Sequence, residues 1–200
     1  MIAFALATMF YSLSMSITPG PTNIIMMTTG VNHGFKSTLP FATGAAFGFT
    51  ALVVIVALGF GEIMTENQKF MEILGYIGAV LIGYMGYKIA FSDSDMEGPE
   101  KDRPSFMQGA ILQWLNPKSW IACIAGVGAF NLAVGGERLF TYMVVYMIVG
   151  YSCVLAWGYA GSKISVFLQT GENLKYFNYV MGASLVIVAI YLAFMDHGTV

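Results

Sequence analysis

Apolar runs about as long as a bilayer crossing alternate along the chain with short polar joints. A helix needs roughly 20 apolar residues to cross the hydrocarbon. Six runs meet that length, over residues 2–28, 38–60, 70–91, 106–130, 138–161 and 176–195. The longest joint, Ser92 to Ser105, holds Asp93, Asp95, Glu97, Glu100, Lys101, Asp102 and Arg103, and reads as a solvated loop. The first run has no Lys or Arg before Lys36 and continues past the length of a signal-peptide core, so it reads as a spanning helix. The pattern predicts an all-α integral membrane protein with six transmembrane helices.

Composition supports this. The 200 residues are 57% hydrophobic and 10% charged, with a mean hydropathy of +0.70. Soluble domains carry about 25% charged residues, so lipid must cover much of this surface. The net charge of −2 offers no basic patch for nucleic acid. Cys123 and Cys153 sit inside apolar runs and read as small buried hydrophobes. Neither histidine lies in a span, and no metal cluster, nucleophile–base pair or phosphate loop is evident. The sequence therefore gives no support for an enzyme, a cofactor or a metal.

Basic residues orient the spans, because cytoplasmic loops carry the excess of Lys and Arg. The odd loops and their flanks hold Lys36, Lys88, Lys101, Arg103, Lys163 and Lys175; the other side holds Lys69 and Arg138. The expectation is a bacterial inner-membrane protein with both termini in the periplasm.

The two halves align. Offset by 98 residues, Leu13 meets Ile111, Thr18 meets Asn116 and Pro19 meets Pro117. Offset by 102, Lys36 meets Arg138 and Gly48 meets Gly150; offset by 104, Gly78 meets Gly182, Leu81 meets Leu185 and Tyr87 meets Tyr191. Each half has three spans, an odd number, so the second enters the membrane from the opposite side. That arrangement is two inverted three-helix repeats, residues 1–91 and 106–200, joined by a cytoplasmic linker over 92–105.

The rarest features of the spans coincide in the repeats. The first span carries Thr18-Pro19-Gly20-Pro21-Thr22-Asn23, and the fourth carries Gln113-Trp114-Leu115-Asn116-Pro117-Lys118. Pro19 and Pro21 cannot donate to the carbonyls of Met15 and Ile17, nor Pro117 to that of Gln113. In lipid those carbonyls need other partners, and Ser14, Ser16, Thr18, Thr22 and Asn23 are near enough to help. Broken helices near the midplane of inverted repeats are where transporters hold solutes, so Thr18, Pro19, Gly20, Pro21, Asn23, Gln113, Asn116, Pro117 and Lys118 are the candidate substrate-binding residues. A simple proline kink is the plainer reading.

Lys118 is the only charge deep in any span. A central lysine costs at least about 2.5–3.5 kcal/mol, so it needs a partner or a watery cavity. It reads either as a structural tie to freed carbonyls or as the group that attracts a substrate carboxylate. The 98-residue offset pairs it with Gly20, which leaves room for Lys118 and a ligand if the two breaks face each other. No acidic residue lies deep in a span. A coupling proton would fall to Glu72 near a span end, to a lysine such as Lys118, or to the substrate. Gly44 with Gly48, and Gly30 with Gly34, have the spacing of close helix packing. His33 beside Gly34 reads as part of a turn.

These residues resemble the LysE/RhtB family of amino-acid exporters. The likeness runs through Thr18-Pro19-Gly20-Pro21 with Asn23, His33-Gly34-Phe35-Lys36, Gly44 with Gly48-Phe49, and Asn116-Pro117-Lys118. Pro21-Thr22-Asn23 and Asn32-His33-Gly34-Phe35 look closest to the cysteine/O-acetylserine branch, then to the homoserine/threonine branch. The resemblance implies efflux of a small, neutral amino acid from the cytoplasm, driven by the proton gradient, with a role for both motif regions. Without a deep acidic residue a dibasic substrate fits less well. A channel or passive scaffold is the alternative from another class. A membrane thiol oxidoreductase would need a cysteine in each half, and both lie in the second. A homodimer is left open.

Overall fold

The computed structural model describes residues 1–60, 68–92, 103–132, 136–168 and 172–194, and among these every regular element is helical. Helix α1 spans Ile2–Ile17 and α2 Pro21–His33. A 3-10 turn over Phe35–Thr38 leads into α3, Leu39–Ile55, which ends in a π turn over Val56–Phe60. Then follow α4, Gln68–Ala90, and α5, Phe106–Leu115. Last come α6, Pro117–Phe130, α7, Glu137–Leu168, and α8, Asn173–Phe194. The acidic joint expected over 92–105 lies outside the described residues except at its two ends.

By length and hydropathy three helical segments can each cross a membrane alone: Phe35–Gly59, Glu137–Leu168 and Asn173–Phe194. The α1–α2 pair, bent by 65°, makes a fourth if it is one broken span. The outer surface is apolar: Phe194 is 85%, Ile2 81% and Val80 73% exposed. Water would penalise each such side chain by roughly 1.5–3 kcal/mol relative to burial, and lipid removes the penalty.

The helix breaks follow from local chemistry. Both α2 and α6 begin at a proline, where the missing N–H costs no intrahelical bond. Pro117 therefore holds the place of Pro21, whereas the 98-residue offset pairs it with Pro19. The first break takes three residues, Thr18 to Gly20, and the second only Asn116. Ser105 opens α5 with a capping box: its hydroxyl receives Gln108 N–H at 3.2 Å while Gln108 Oε1 receives Ser105 N–H at 2.8 Å. His33 is the last residue of α2, and Gly34 leaves the helix with φ 77°, a conformation glycine adopts without penalty.

The principal pairings are α4 with α8, α3 with α5, and α7 with both α1 and α2. At Gly44 and Gly48 of α3 the backbone of α5 comes close, with the carbonyls of Phe106 and Ala110 where a Cβ would stand. In the second glycine pair, Gly30 packs on the Gly158 carbonyl of α7, while Gly34 serves the turn. Two cores result. One gathers Ile25, Phe41, Ile82, Leu112 and Leu185 from α2, α3, α4, α5 and α8. The other gathers Leu52, Trp120, Cys123, Tyr142 and Tyr146 from α3, α6 and α7. Cys123 and Cys153 are both free and buried. A polar knot ties α2 to α8: Asn32 and Asn178 exchange amide bonds of 2.9 and 3.0 Å, and Asn178 also donates to Ser92 Oγ at 3.0 Å.

Candidate substrate site at the paired helix breaks

The two helix breaks meet. The Lys118 stem lies over Gly20, so that a Cβ there would stand 3.3 Å from Lys118 Cδ and 3.4 Å from Nζ. Lys118 Nζ donates to the Thr18 carbonyl, at the end of α1. The lysine is thus tied to the opposite break, and its charge rests on a carbonyl released by the interruption.

Several other polar groups of the breaks are matched as well. Asn23 Nδ2 donates to the Ser16 carbonyl at 3.0 Å and to the Thr18 carbonyl at 2.9 Å. Thr18 Oγ1 donates to the Ser14 carbonyl at 2.7 Å. At the second break Asn116 Oδ1 caps the Lys118 N–H at 3.1 Å, and the Trp120 indole donates to the Trp114 carbonyl at 2.7 Å. Gln113 connects the two: its Nε2 donates to Thr22 Oγ1 at 3.2 Å, and its Oε1 accepts from Ser119 Oγ. The N-terminus of α6 is capped by a side chain, but that of α2, at Gly20, is not. Its positive dipole end therefore lies at Gly20, beneath the Lys118 side chain.

A cavity of about 660 Å³, counting the space at its mouth, opens between these breaks. Of the candidate residues, Gly20, Asn23, Gln113, Asn116 and Lys118 line it. Thr18, Pro19, Pro21 and Pro117 do not; they shape the breaks, and Thr18 supplies the carbonyl that holds Lys118. Helix α3 adds Ala42, Ala45, Ala46, Phe49 and Thr50. Helix α7 adds Tyr146, Met147, Gly150, Tyr151 and Val154. Among the described residues no carboxylate and no histidine is in this lining, and no group of three or more His, Cys, Asp or Glu could hold a metal ion.

Sequence reasoning missed the α7 wall. Its one available signal was the i, i+4 recurrence of Tyr146, Gly150 and Val154, with Met147 and Tyr151, which marks one helix face. The match of Gly48 with Gly150 points to that face's small residue, where an added Cβ would stand 3.3 Å from Ser16 Oγ.

No solved structure matches this chain. A cysteine/O-acetylserine efflux protein of Klebsiella pneumoniae is 28% identical over 187 residues, covering 92% of this chain and 94% of the relative. One of Escherichia coli is 26% identical over 190 residues, covering 90% and 92%. The model of the LysE type translocators matches residues 13–196. That match takes in both helix breaks, the cavity and nearly all of the helical bundle, and the chain therefore belongs to the LysE type translocator family, as a membrane transporter and not an enzyme.

Proposed function

We propose that this protein exports a small neutral amino acid from the cytoplasm, of the cysteine or O-acetylserine type, across the bacterial inner membrane. The observation that carries this reading is the Lys118 ammonium beside the uncapped N-terminus of α2, in a cavity whose lining holds no carboxylate among the described residues. A cation and a helix N-terminus together suit a carboxylate. The freed carbonyls and the Gln113 and Asn116 amides suit the substrate's ammonium. The Ala42, Ala45 and Ala46 wall suits a short side chain. The efflux proteins to which the chain is similar are named for cysteine and O-acetylserine, in keeping with that size.

The reading extends to topology and coupling. Six spans in two inverted triplets, with α1–α2 and α5–α6 as broken spans, place both breaks at one level and put both termini in the periplasm. A proton moves inward as the amino acid moves out, carried by Lys118 or by Glu72.

The test is export from cells expressing the chain, with cysteine, O-acetylserine, homoserine and threonine compared, and Lys118→Ala beside it at matched membrane levels. The expected result is export of cysteine and O-acetylserine and its loss in Lys118→Ala. Normal export by Lys118→Ala would reduce the lysine to a structural tie. Counterflow in liposomes separates a carrier, which accelerates exchange of labelled amino acid, from a scaffold.

A further inference from the structure

Two side-chain contacts bridge α3 and α7 across the cavity. Thr43 Oγ1 and Tyr151 Oη share a hydrogen bond of 3.2 Å. Nearer the α3 C-terminus, Phe49 stacks on Tyr146 with ring centroids 4.2 Å apart and planes at 18°. The two bridges differ in what stands behind them.

Behind Tyr146 the aromatic packing continues. Tyr142 follows at 5.6 Å, then Phe130 at 5.7 Å and Tyr11 at 6.4 Å. Phe130 meets Phe4 edge-on at 5.6 Å, and the Arg138 guanidinium lies 5.8 Å from the Phe4 ring centre. The rings thus run from the cavity to the end of the bundle where α1 begins.

Polar groups are buried in this apolar plug and along α1, which contributes Phe4 and Tyr11 to it. Tyr142 is 0% exposed, and its hydroxyl has no hydrogen-bond partner among the described residues. That hydroxyl is pressed against Gly126 of α6. Along α1, Thr8 and Ser12 are each 0% exposed, and Ser16, one turn on, lines the cavity. The Ser12 hydroxyl turns back to the Thr8 carbonyl at 2.7 Å, and the Thr8 hydroxyl has no partner among the described residues. A plug needs only apolar bulk. Burying unpaired hydroxyls in it costs stability, and that cost is offset if another state of the molecule gives them partners.

We propose that Tyr142 is a gate: with Tyr146, Phe130 and Tyr11 it closes a passage that runs from the cavity along Ser16, Ser12 and Thr8 to the amino-terminal end of α1. When the rings part, the hydroxyls of Thr8, Ser12 and Tyr142 line the way out. The lighter Thr43–Tyr151 bridge closes the opposite end. The unpaired Tyr142 hydroxyl raises the free energy of the closed state and so holds the gate nearer to opening. The proposal rests on the cavity being the solute's site, but its test reads access to the passage and needs no amino acid.

The full chain carrying Cys123→Ala, Cys153→Ala and Ser12→Cys is reconstituted in liposomes, and reaction with a membrane-impermeant maleimide on both sides is timed. Tyr142→Ala is expected to speed the reaction at least about tenfold. Tyr142→Phe is expected to slow it by about tenfold, because the closed state loses an unpaired polar group. Gly126→Ala, whose new Cβ displaces the Tyr142 hydroxyl, is expected to act like Tyr142→Ala and serves if that variant does not fold. Ile82→Cys, fully buried in the other core, replaces Ser12→Cys as a reporter of general loosening and is expected to stay unreactive throughout. An unchanged Ser12→Cys rate in both opening variants would overturn the proposal. So would an equal rise at Ile82→Cys, or acceleration by Tyr142→Phe.

Discussion

Lys118 crosses the backbone of Gly20, with Cδ and Nζ 3.3 and 3.4 Å from where a Cβ would sit. Gly20 is extended, with φ −165°, so its backbone tolerates any residue and only the space beneath the lysine is at stake. The far end of a lysine yields to a methyl group but not to a branched side chain. Gly20→Ala is expected to keep most transport, and Gly20→Leu to lose it by about tenfold or more through misplacement of the ammonium. Initial export rates at equal membrane abundance distinguish the two.

Gln113→Glu retains size and shape but brings a carboxylate into the lining beside Lys118. That group competes with the substrate's own carboxylate for the one cation. A fall of about tenfold or more in kcat/KM for counterflow is expected. Gln113→Met, apolar and of similar length, is expected to act mainly on stability, since it leaves the Ser119 and Thr22 hydroxyls without their partner.

The Asn32–Asn178 pair is a stability device. Asn32→Ala leaves the buried amide of Asn178 half unmatched and is expected to cost about 1–3 kcal/mol. Replacing both by leucine is expected to cost less than the sum of the two single losses. Thermal unfolding in detergent across the double-mutant cycle checks this.

Gly48→Ala drives a methyl group into α5, where Ala110 Cα would lie 2.8 Å from it. Both partners are backbone and neither can turn aside, so a loss of about 1–3 kcal/mol is expected. Gly128→Ala meets nothing within 4 Å and is expected to be neutral or to stabilise by up to about 1 kcal/mol through helix propensity. Melting temperatures of the two variants provide the comparison.

The helix breaks were legible because proline and glycine act locally. Pro19, Pro21 and Pro117 interrupt a helix whatever surrounds them, and a lysine in an apolar run demands a partner. The correspondence between the two breaks was less legible. Sequence offset matches residue identity and pairs Pro19 with Pro117, whereas helix geometry gives Pro21 and Pro117 the same place, at the start of the helix that follows each break. The α7 wall was hidden for another reason. Tyr146, Met147 and Tyr151 look like ordinary apolar and aromatic lining, and only the packing of α3 against α7 turns that face toward Lys118. The aromatic plug was equally silent, since its rings come from α1, α3, α6 and α7, far apart along the chain.

The burial of Cys123 and Cys153 has a chemical consequence. Neither thiol is among the residues that line the cavity, nor does either stand in the row of Ser16, Ser12 and Thr8. A cargo bearing its own sulfhydryl would meet hydroxyls, amides, the thioethers of Met15 and Met147 and the Lys118 amine in the cavity, none of which exchanges with a thiol. The cavity would be inert toward so reactive a passenger, with no thiol in its lining among the described residues to trap it as a mixed disulfide.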